Sequence, residues 1–404
     1  MHIVYVTSEY VTERRSGGLG TYLYNVAAMM KNEGHVIHVV TLSEKNGGVT
    51  DANGVKVIRV KAVVKGNKPR SVYNILNSIK LFKEVKSINK SEKIDIVQAS
   101  NYRSVGLMRV SNIPLVVRVS SDSILLRSAN KRIFDFENAL KKQDVLDRLE
   151  YLTVKRADAI FAPSKICASI VSRKTGRQIE VIESPLPNMQ KKDDPFLYNT
   201  YLNGKEYILV NSSLSYLKGT HVVISATQQL LTKYPNLFIV YAGEDMSIGS
   251  NTPSFSGQLA KQHKEFNGRV IYFGKVQRQR LFPIVKHALA CALPSRIDNF
   301  PNSCVEAMYL GQIVLGVDGA SFEQLIEDGI NGFLMKRDSV DSFVKAVDRL
   351  MMMPNEEKDE MKNRAKETVK RLESTEIYPQ MMSFYLSAME KSLNKTINGI
   401  HIHE

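Results

Sequence analysis

Two doubly wound α/β domains joined by a short linker are the architecture that this 404-residue chain predicts. Three observations carry the prediction. The amino terminus reads as a buried strand, MHIVYVTSE, then a glycine-rich turn and an amphipathic helix, which is the opening β-loop-α of a parallel sheet. The same alternation restarts at KEYILVNSS, after a Pro- and charge-rich interval. The length is also too great for one ordinary core and divides into two domains of about 200 residues each.

Composition narrows the class. Hydrophobic content of 43% fits a globular interior. The longest apolar runs, such as HVIHVVTL and IPLVVRV, fall far short of the roughly 20 residues that span a bilayer, and no secretion signal or anchor is visible. Cys167, Cys291 and Cys304 are widely spaced, without the pairing of a zinc site or a disulfide framework, which points to a reducing cytoplasm. The net charge of +14 is uneven: residues 1–185 hold 30 Lys and Arg against 17 Asp and Glu, and the remainder 25 against 24. So basic a first half faces a polyanion. Basic segments without interleaved aromatics, in a chain with no Trp, exclude nucleic acid and favour an anionic membrane surface.

Taken in order, Gly17, Gly18 and Gly20 let the backbone after the first strand approach a ligand and expose N–H groups at a helix start that runs to Gly34. HVIHVVTL is the second strand, and its His35 and His38 read as structural. From Ser71 to Lys90 a helix places Val72, Ile75, Leu76, Ile79, Phe82 and Val85 on one stripe and Lys80, Lys83, Lys86 and Lys90 mostly off it. KIDIVQASN and IPLVVRVSSDS are further strands, with Arg118, Ser120 and Asp122 at the carboxyl end of the second, where parallel sheets build sites. Ile133 to Ala157 reads as a charged helix, and Ser164 as the N-cap of the next. The linker is placed at 186–204.

The second half carries the sharper chemistry. The loop NSSLSYLKG presents Ser213 and Lys218, LFIVYAGED brings Gly243, and VIYFGKVQ brings Lys275 and Val276. The stretch PSRIDNFPNSCVEAMYLG holds two carboxylates, Asp298 in a loop and Glu306 on the first turns of a helix whose expected N-cap is Asn302 or Ser303. A helix start at a strand's carboxyl end binds phosphate, and acids beside it bind hydroxyls.

This last stretch resembles the donor-site signature of the family 4 retaining glycosyltransferases of the GT-B fold, a Glu, seven residues and a Glu running into EAM and Gly; here Asp298 replaces the first Glu. The resemblance implies two Rossmann-like domains facing a cleft, residues 1–185 binding the acceptor and 205–375 the nucleotide sugar, with a carboxyl-terminal helix (376–404) crossing back to the first domain. By the same resemblance Glu306 holds ribose hydroxyls, Asp298 lies near the transferred sugar and its phosphate, and Asn299, Phe300, Pro301 and Asn302 complete the donor loop. Lys218 grips the leaving diphosphate while Ser213 stands where the family has Arg, so Arg296 is a candidate replacement. Lys275 and Val276 offer backbone groups to the base, Gly243 sits in a motif that often reads Gly-x-Gly, and Glu323 with Gly332 closes the rim. Gly17, Gly18 and Gly20 match the family's GG loop near acceptor and diphosphate. Ser120 aligns with a family His, with Arg118 as its electrostatic substitute.

The implied reaction moves a hexosyl group from a UDP-linked sugar to an acceptor hydroxyl with retention, using no cofactor and no metal. The implied acceptor is a lipid-linked or polysaccharide intermediate of bacterial cell-surface glycan assembly, of lipopolysaccharide type, at the inner face of the membrane. Two alternatives stay open: a catalytically impaired homologue serving as a membrane-associated binding module, and a GT-B sugar epimerase or phosphorylase.

Overall fold

The computed structural model describes every residue other than 12–16, 45–46, 53, 64–65, 68, 121, 187–191, 248–253 and 401–404, and the side chains of all these except 51–52 and 395–400. The chain forms two compact units. The first comprises Met1–Leu125, Leu140–Pro187 and Leu372–Glu404, the second Leu126–Ala139 and Asn188–Arg371.

The first unit is an eight-stranded sheet: β1 (His2–Thr7), β2 (Val36–Ser43), β3 (Gly48–Ala52), β4 (Val55–Lys61), β5 (Ile96–Ser100), β6 (Leu115–Arg118), β7 (Ala159–Ala162) and β8 (Glu180–Val181), in the order β3-β4-β2-β1-β5-β6-β7-β8. All pairs are parallel except β3–β4, a hairpin that the linear pattern did not announce. β1 is buried along its whole length, as a strand covered on both faces must be. Helices α1 (Gly18–Asn32), α2 (Arg70–Ser91), α5 (Val145–Arg156) and α6 (Lys165–Thr175) connect the strands, while α3 (Ser123–Ala129) and α4 (Phe136–Lys141), between β6 and α5 in the chain, lie mostly within residues 126–139 of the second unit. One face packs Val4, Val6, Val40 and Leu42 against Leu81, Phe82, Val85 and Ile88 of α2. The carboxyl-terminal helix, Ser374–Ile400, adds Tyr385, whose hydroxyl donates to Gln98 and lies 3.5 Å from that of Tyr5, and Phe384, edge-on to Phe161.

Two expectations are corrected here. The buried stripe of α2 runs through Tyr73, Asn74, Asn77, Ser78, Leu81, Phe82, Val85 and Ile88, while Ile79 is exposed. Polar residues hold the face because Asn77 accepts from the Val63 N–H and Ser78 donates to the Val105 carbonyl, partners that helical periodicity cannot reveal. The segment expected as one helix from Ile133 to Ala157 is α4 and α5, separated where Asp144 and Asp147 form a reciprocal capping box that starts a new helix. Ser164 caps α6, accepting from the Cys167 N–H.

The second unit is a parallel sheet of β9 (Glu206–Val210), β10 (Leu237–Tyr241), β11 (Val270–Tyr272), β12 (Ala290–Ala292), β13 (Val314–Val317) and β14 (Phe333–Met335), in the order β11-β10-β9-β12-β13-β14. Its helices are α7 (Phe196–Tyr201), α8 (Thr220–Lys233), α9 (Phe255–Glu265), α10 (Arg278–Lys286), α11 (Asn302–Tyr309), α12 (Val340–Met352) and α13 (Asn355–Lys370). The interval read as linker therefore includes a helix, and α7 is stapled to α10 by the Asp194–Arg280 ion pair and by Tyr198 stacked on His287. Residues 187–191 of that interval lie outside the described ones. The three cysteines are buried and free, and no helix among the described residues is long and apolar enough to cross a membrane.

Candidate active site

In the second unit β9 lies between β10 and β12, so the winding of the sheet reverses at the β9/β12 boundary. The loops that follow these two strands leave side by side from the same end, the position where open α/β sheets bind ligands. Gly219 lets them close together: its φ is +69°, and a Cβ there would lie 1.8 Å from the Pro294 carbonyl oxygen. The Arg296 N–H bonds the Leu217 carbonyl across the same seam. Lys218 is thereby set against the second loop, its Nζ 2.5 Å from Asp298 Oδ2, both side chains partly exposed. The other Asp298 oxygen accepts from the Asn299 N–H, and the Asp298 carbonyl accepts from Ser321 Oγ. Ser321 holds φ +73°, a left-handed conformation that non-glycine residues adopt at a strain of about 1 kcal/mol or more.

Beyond this loop α11 begins at Asn302, with Pro301 before it and no side-chain cap, which replaces the expected Asn302 or Ser303 cap. Its Asn302 and Cys304 N–H groups bond the Phe300 and Pro301 carbonyls, so among the described residues the Ser303 N–H is the first-turn donor left for a ligand. Phe300 and Pro301 are buried beneath it, while Asn299 and Asn302 are partly exposed. Glu306 follows on the second turn with 14% of its side chain exposed, and Arg278 donates to its Oε1 at 2.6 Å. Burial pushes Glu306 above the ordinary carboxylate range, and the adjacent guanidinium partly pulls it back. Arg278 was missed in the linear reading; the signal was there, since a carboxylate on a buried helix face requires a cation and KVQR stands at the start of α10.

Arg296 is not free to stand in for the Arg that the family resemblance expects at Ser213. It is 3% exposed and spends its donors on the carbonyls of Ala129, Lys131 and Arg132 and on Asp338, between the rings of Phe134 and Tyr216. That is a structural arginine, and it explains why residues 126–139 belong to this unit. Ser213 is partly exposed in the loop after β9. Gly243 is a close-approach glycine, since a Cβ there would lie 1.9 Å from the Ser212 carbonyl, and its own carbonyl accepts from Tyr272. Asp245 turns inward to Ser247 and Ser256, whereas Glu244 points to solvent with Lys275 Nζ 3.9 Å away. Val276 is partly exposed. Glu323 accepts from the Ala320 N–H, while the Ala320 carbonyl in turn accepts from the Asp298 N–H, linking it to the loop that carries Asp298.

In the first unit the carboxyl ends of β1, β5 and β6 gather the other named residues. Glu9 accepts from the N–H groups of Gly17 and Gly20, each at 3.3 Å, so an internal carboxylate sits at the positive end of α1; Gly18 is exposed beside it. Arg118 is 5% exposed, with its guanidinium 3.7 Å over the Tyr22 ring, and donates to Ser120 and Ser184. Its Nε has no partner among the described residues, and burial lowers its pKa from the usual arginine value. Ser120 also bonds Ser100 and takes its backbone position from Asn101. Asp122 is committed to a buried pair with Lys174 at 2.6 Å and to the Tyr151 hydroxyl, a structural role. Next to it, Glu150 accepts from Ser123 and from the N–H of Arg103, which has φ +55°; burial pushes Glu150 up to about 8.

Comparison with known proteins accounts for both units. Residues 16–186 match the family described as Glycosyltransferase Family 4, and residues 199–368 match Glycosyl transferases group 1. An uncharacterized glycosyltransferase of Methanocaldococcus jannaschii is 21% identical over 96% of this chain and 99% of its own length. Among solved structures, sucrose-phosphate synthase from Thermosynechococcus elongatus is similar at 15% identity, with a TM-score of 0.76 over 96% of this chain and 99% of that one. HepE of Anabaena in complex with UDP-glucose is similar at 18% identity, with a TM-score of 0.68 over 96% of this chain and 100% of that one. With one family model on each unit and GT-B enzymes as structural neighbours over nearly the whole chain, the protein belongs to the family 4 glycosyltransferases of the GT-B fold.

Proposed function

We propose that the chain moves a hexosyl group from a UDP-linked sugar to a hydroxyl of a lipid-linked or polysaccharide acceptor, with retained configuration and without a metal. The observation that carries this reading is Lys218 paired with Asp298 beside the uncapped start of α11, with Glu306 further along the same helix. A nucleoside diphosphate sugar needs groups of this kind: a cation and the positive end of a helix, here with the Ser303 N–H as donor, for the diphosphate, and carboxylates for ribose and sugar hydroxyls. Gly243, Lys275, Val276 and residues Asn299 to Asn302 would shape the nucleotide side, with Ser213 offering only a hydroxyl where the family has a guanidinium. Gly17, Gly18, Gly20, Arg118 and Ser120 are assigned to the acceptor and phosphate side. UDP as the carrier is supported by the HepE complexes with UDP and UDP-glucose.

Independence from metal is supported by the charge balance, because Asp298 and Glu306 are each already bonded to a cationic side chain. A peripheral position on an anionic membrane is supported by Lys80, Lys83, Lys86 and Lys90, all exposed on α2. The test is a thermal-shift screen of UDP-sugars followed by assay of UDP release in excess EDTA. A shift with one sugar, and UDP release that requires a lipid-diphosphate-linked acceptor, is expected. Binding without turnover for any acceptor would leave the impaired homologue; no shift with any UDP-sugar would remove the donor assignment.

A further inference from the structure

We propose that His2, His38 and Glu92 form a binding site for a divalent transition metal of the imidazole-seeking class, Ni²⁺, Cu²⁺ or Zn²⁺, at the amino-terminal edge of the first unit's sheet. His2 opens β1 and His38 stands in β2, where Val4 pairs with His38 and His2 with Val36, so both imidazoles project from one face of adjacent strands. Linear spacing concealed this, since the two residues are 36 positions apart. Both are 5% exposed, and His2 Nε2 lies 2.8 Å from His38 Nδ1. Glu92, just beyond α2, is exposed and brings a carboxylate oxygen to the pair; the ligand atoms all lie within 4.8 Å of one another.

The hydrogen bonding prepares His2 as a ligand. Its Nδ1 is 3.0 Å from the Lys93 carbonyl, which can only accept, so the proton sits on Nδ1 and the Nε2 lone pair points at His38. A backbone carbonyl on the second ring nitrogen is how metal-ligating histidines are oriented. In the ion's absence His38 Nδ1–H fills the gap; a metal takes the place of that proton, and His38 moves to the Nε2–H tautomer with no net proton released. Two nitrogens 2.8 Å apart subtend about 85–90° at a metal about 2.05 Å from each, the angle of a square-planar or octahedral centre, whereas a tetrahedral one needs about 3.3 Å. The order of preference is therefore Cu²⁺ and Ni²⁺ before Zn²⁺. These ligands sit at the amino ends of β1 and β2, whereas Arg118 and Gly17 sit at the carboxyl ends, so the ion ties the end of α2 to the sheet and takes no part in sugar transfer.

Tag-free full-length protein, stripped with chelator and then dialysed, is titrated with CuCl₂, NiCl₂ and ZnCl₂ by calorimetry and followed by thermal melting. One equivalent should bind saturably and raise the melting temperature. Glu92→Gln, a surface change that leaves the fold intact, should weaken binding at least about tenfold, and His38→Gln should abolish it. No saturable binding by the wild-type chain below about 100 μM metal, or identical isotherms for wild type and Glu92→Gln, would overturn the site and leave the two histidines as a plain imidazole pair.

Discussion

Replacing Arg278 by alanine isolates the carboxylate on which the donor reading depends. In the wild type Arg278 lies 2.6 Å from Glu306 Oε1, with the Glu306 side chain 14% exposed and that of Arg278 39%. Opposite charges about 4 Å apart attract by about 4 kcal/mol at an effective dielectric near 20, and the exposure of the guanidinium reduces this to about 1–2 kcal/mol. Burial raises the Glu306 pKa and Arg278 lowers it, so the variant's carboxyl is raised further. An acid whose folded-state pKa is raised holds its proton more tightly when folded, and this gain is present at low pH and lost as pH rises. On the proposed donor role nucleotide binding runs the other way, because ribose hydroxyls would need the ionised carboxylate. UDP affinity of Arg278→Ala should therefore fall about tenfold below wild type near pH 5.5, at 1.4 kcal/mol per factor of ten, and recover toward pH 8. Calorimetric titration of UDP across that range reads the effect directly. Superimposable pH profiles for the two proteins would refute the coupling of Arg278 to Glu306, and affinity that rose as pH fell would refute the hydroxyl-accepting role itself.

Lys218→Ala should lower turnover about 10²–10³-fold with a smaller change in donor affinity, the scale expected when a preorganised charge opposite the leaving group is lost; wild-type turnover would assign the diphosphate elsewhere. Glu150→Gln should flatten the pH dependence of stability. The wild-type carboxyl, held near 8 by burial, costs the folded state up to ~1.4 kcal/mol per pH unit as pH rises from the ordinary carboxylate range to about 8, so melting curves of the two proteins should diverge most at the alkaline end, and parallel curves would contradict the buried neutral acid. Vesicle co-sedimentation should show binding that requires anionic lipid, falls with salt, and is lost when Lys80, Lys83, Lys86 and Lys90 become Glu. At roughly 1 kcal/mol per basic residue, even three or four of them give measurable recruitment, and equal binding to neutral vesicles would dismiss the surface.

The site was legible where its residues are close in sequence. Asp298, Asn302 and Glu306 lie within one loop and helix, so strand, turn and periodicity place them without tertiary information. The Lys218–Asp298 contact needed only the rule that loops after neighbouring parallel strands leave together. Reading failed where the partner is remote. Arg296 is two residues from Asp298, yet its direction is decided by carbonyls at 129–132 that no local pattern mentions. The buried face of α2 was misplaced because Asn77 and Ser78 count as polar by type and are buried by virtue of the backbone groups they satisfy. His38 read as structural, and His2 carried no signal of its own, until the β1–β2 register put them together.

The first unit is assembled from both ends of the chain, and that has a consequence for biosynthesis. Its strands emerge from the ribosome first, at about 5–20 residues per second, but Phe384 and Tyr385, which cover Phe161 and Tyr5, are made last. The strands of the second unit, by contrast, are consecutive from Glu206 to Met335, so that sheet can finish while the earlier one still waits with an apolar face open to solvent. Folding therefore completes in the reverse of the order of translation. A ribosome stalled before residue 384 would release a chain with a finished second unit and a sticky, unroofed first one, a ready client for chaperones and proteases.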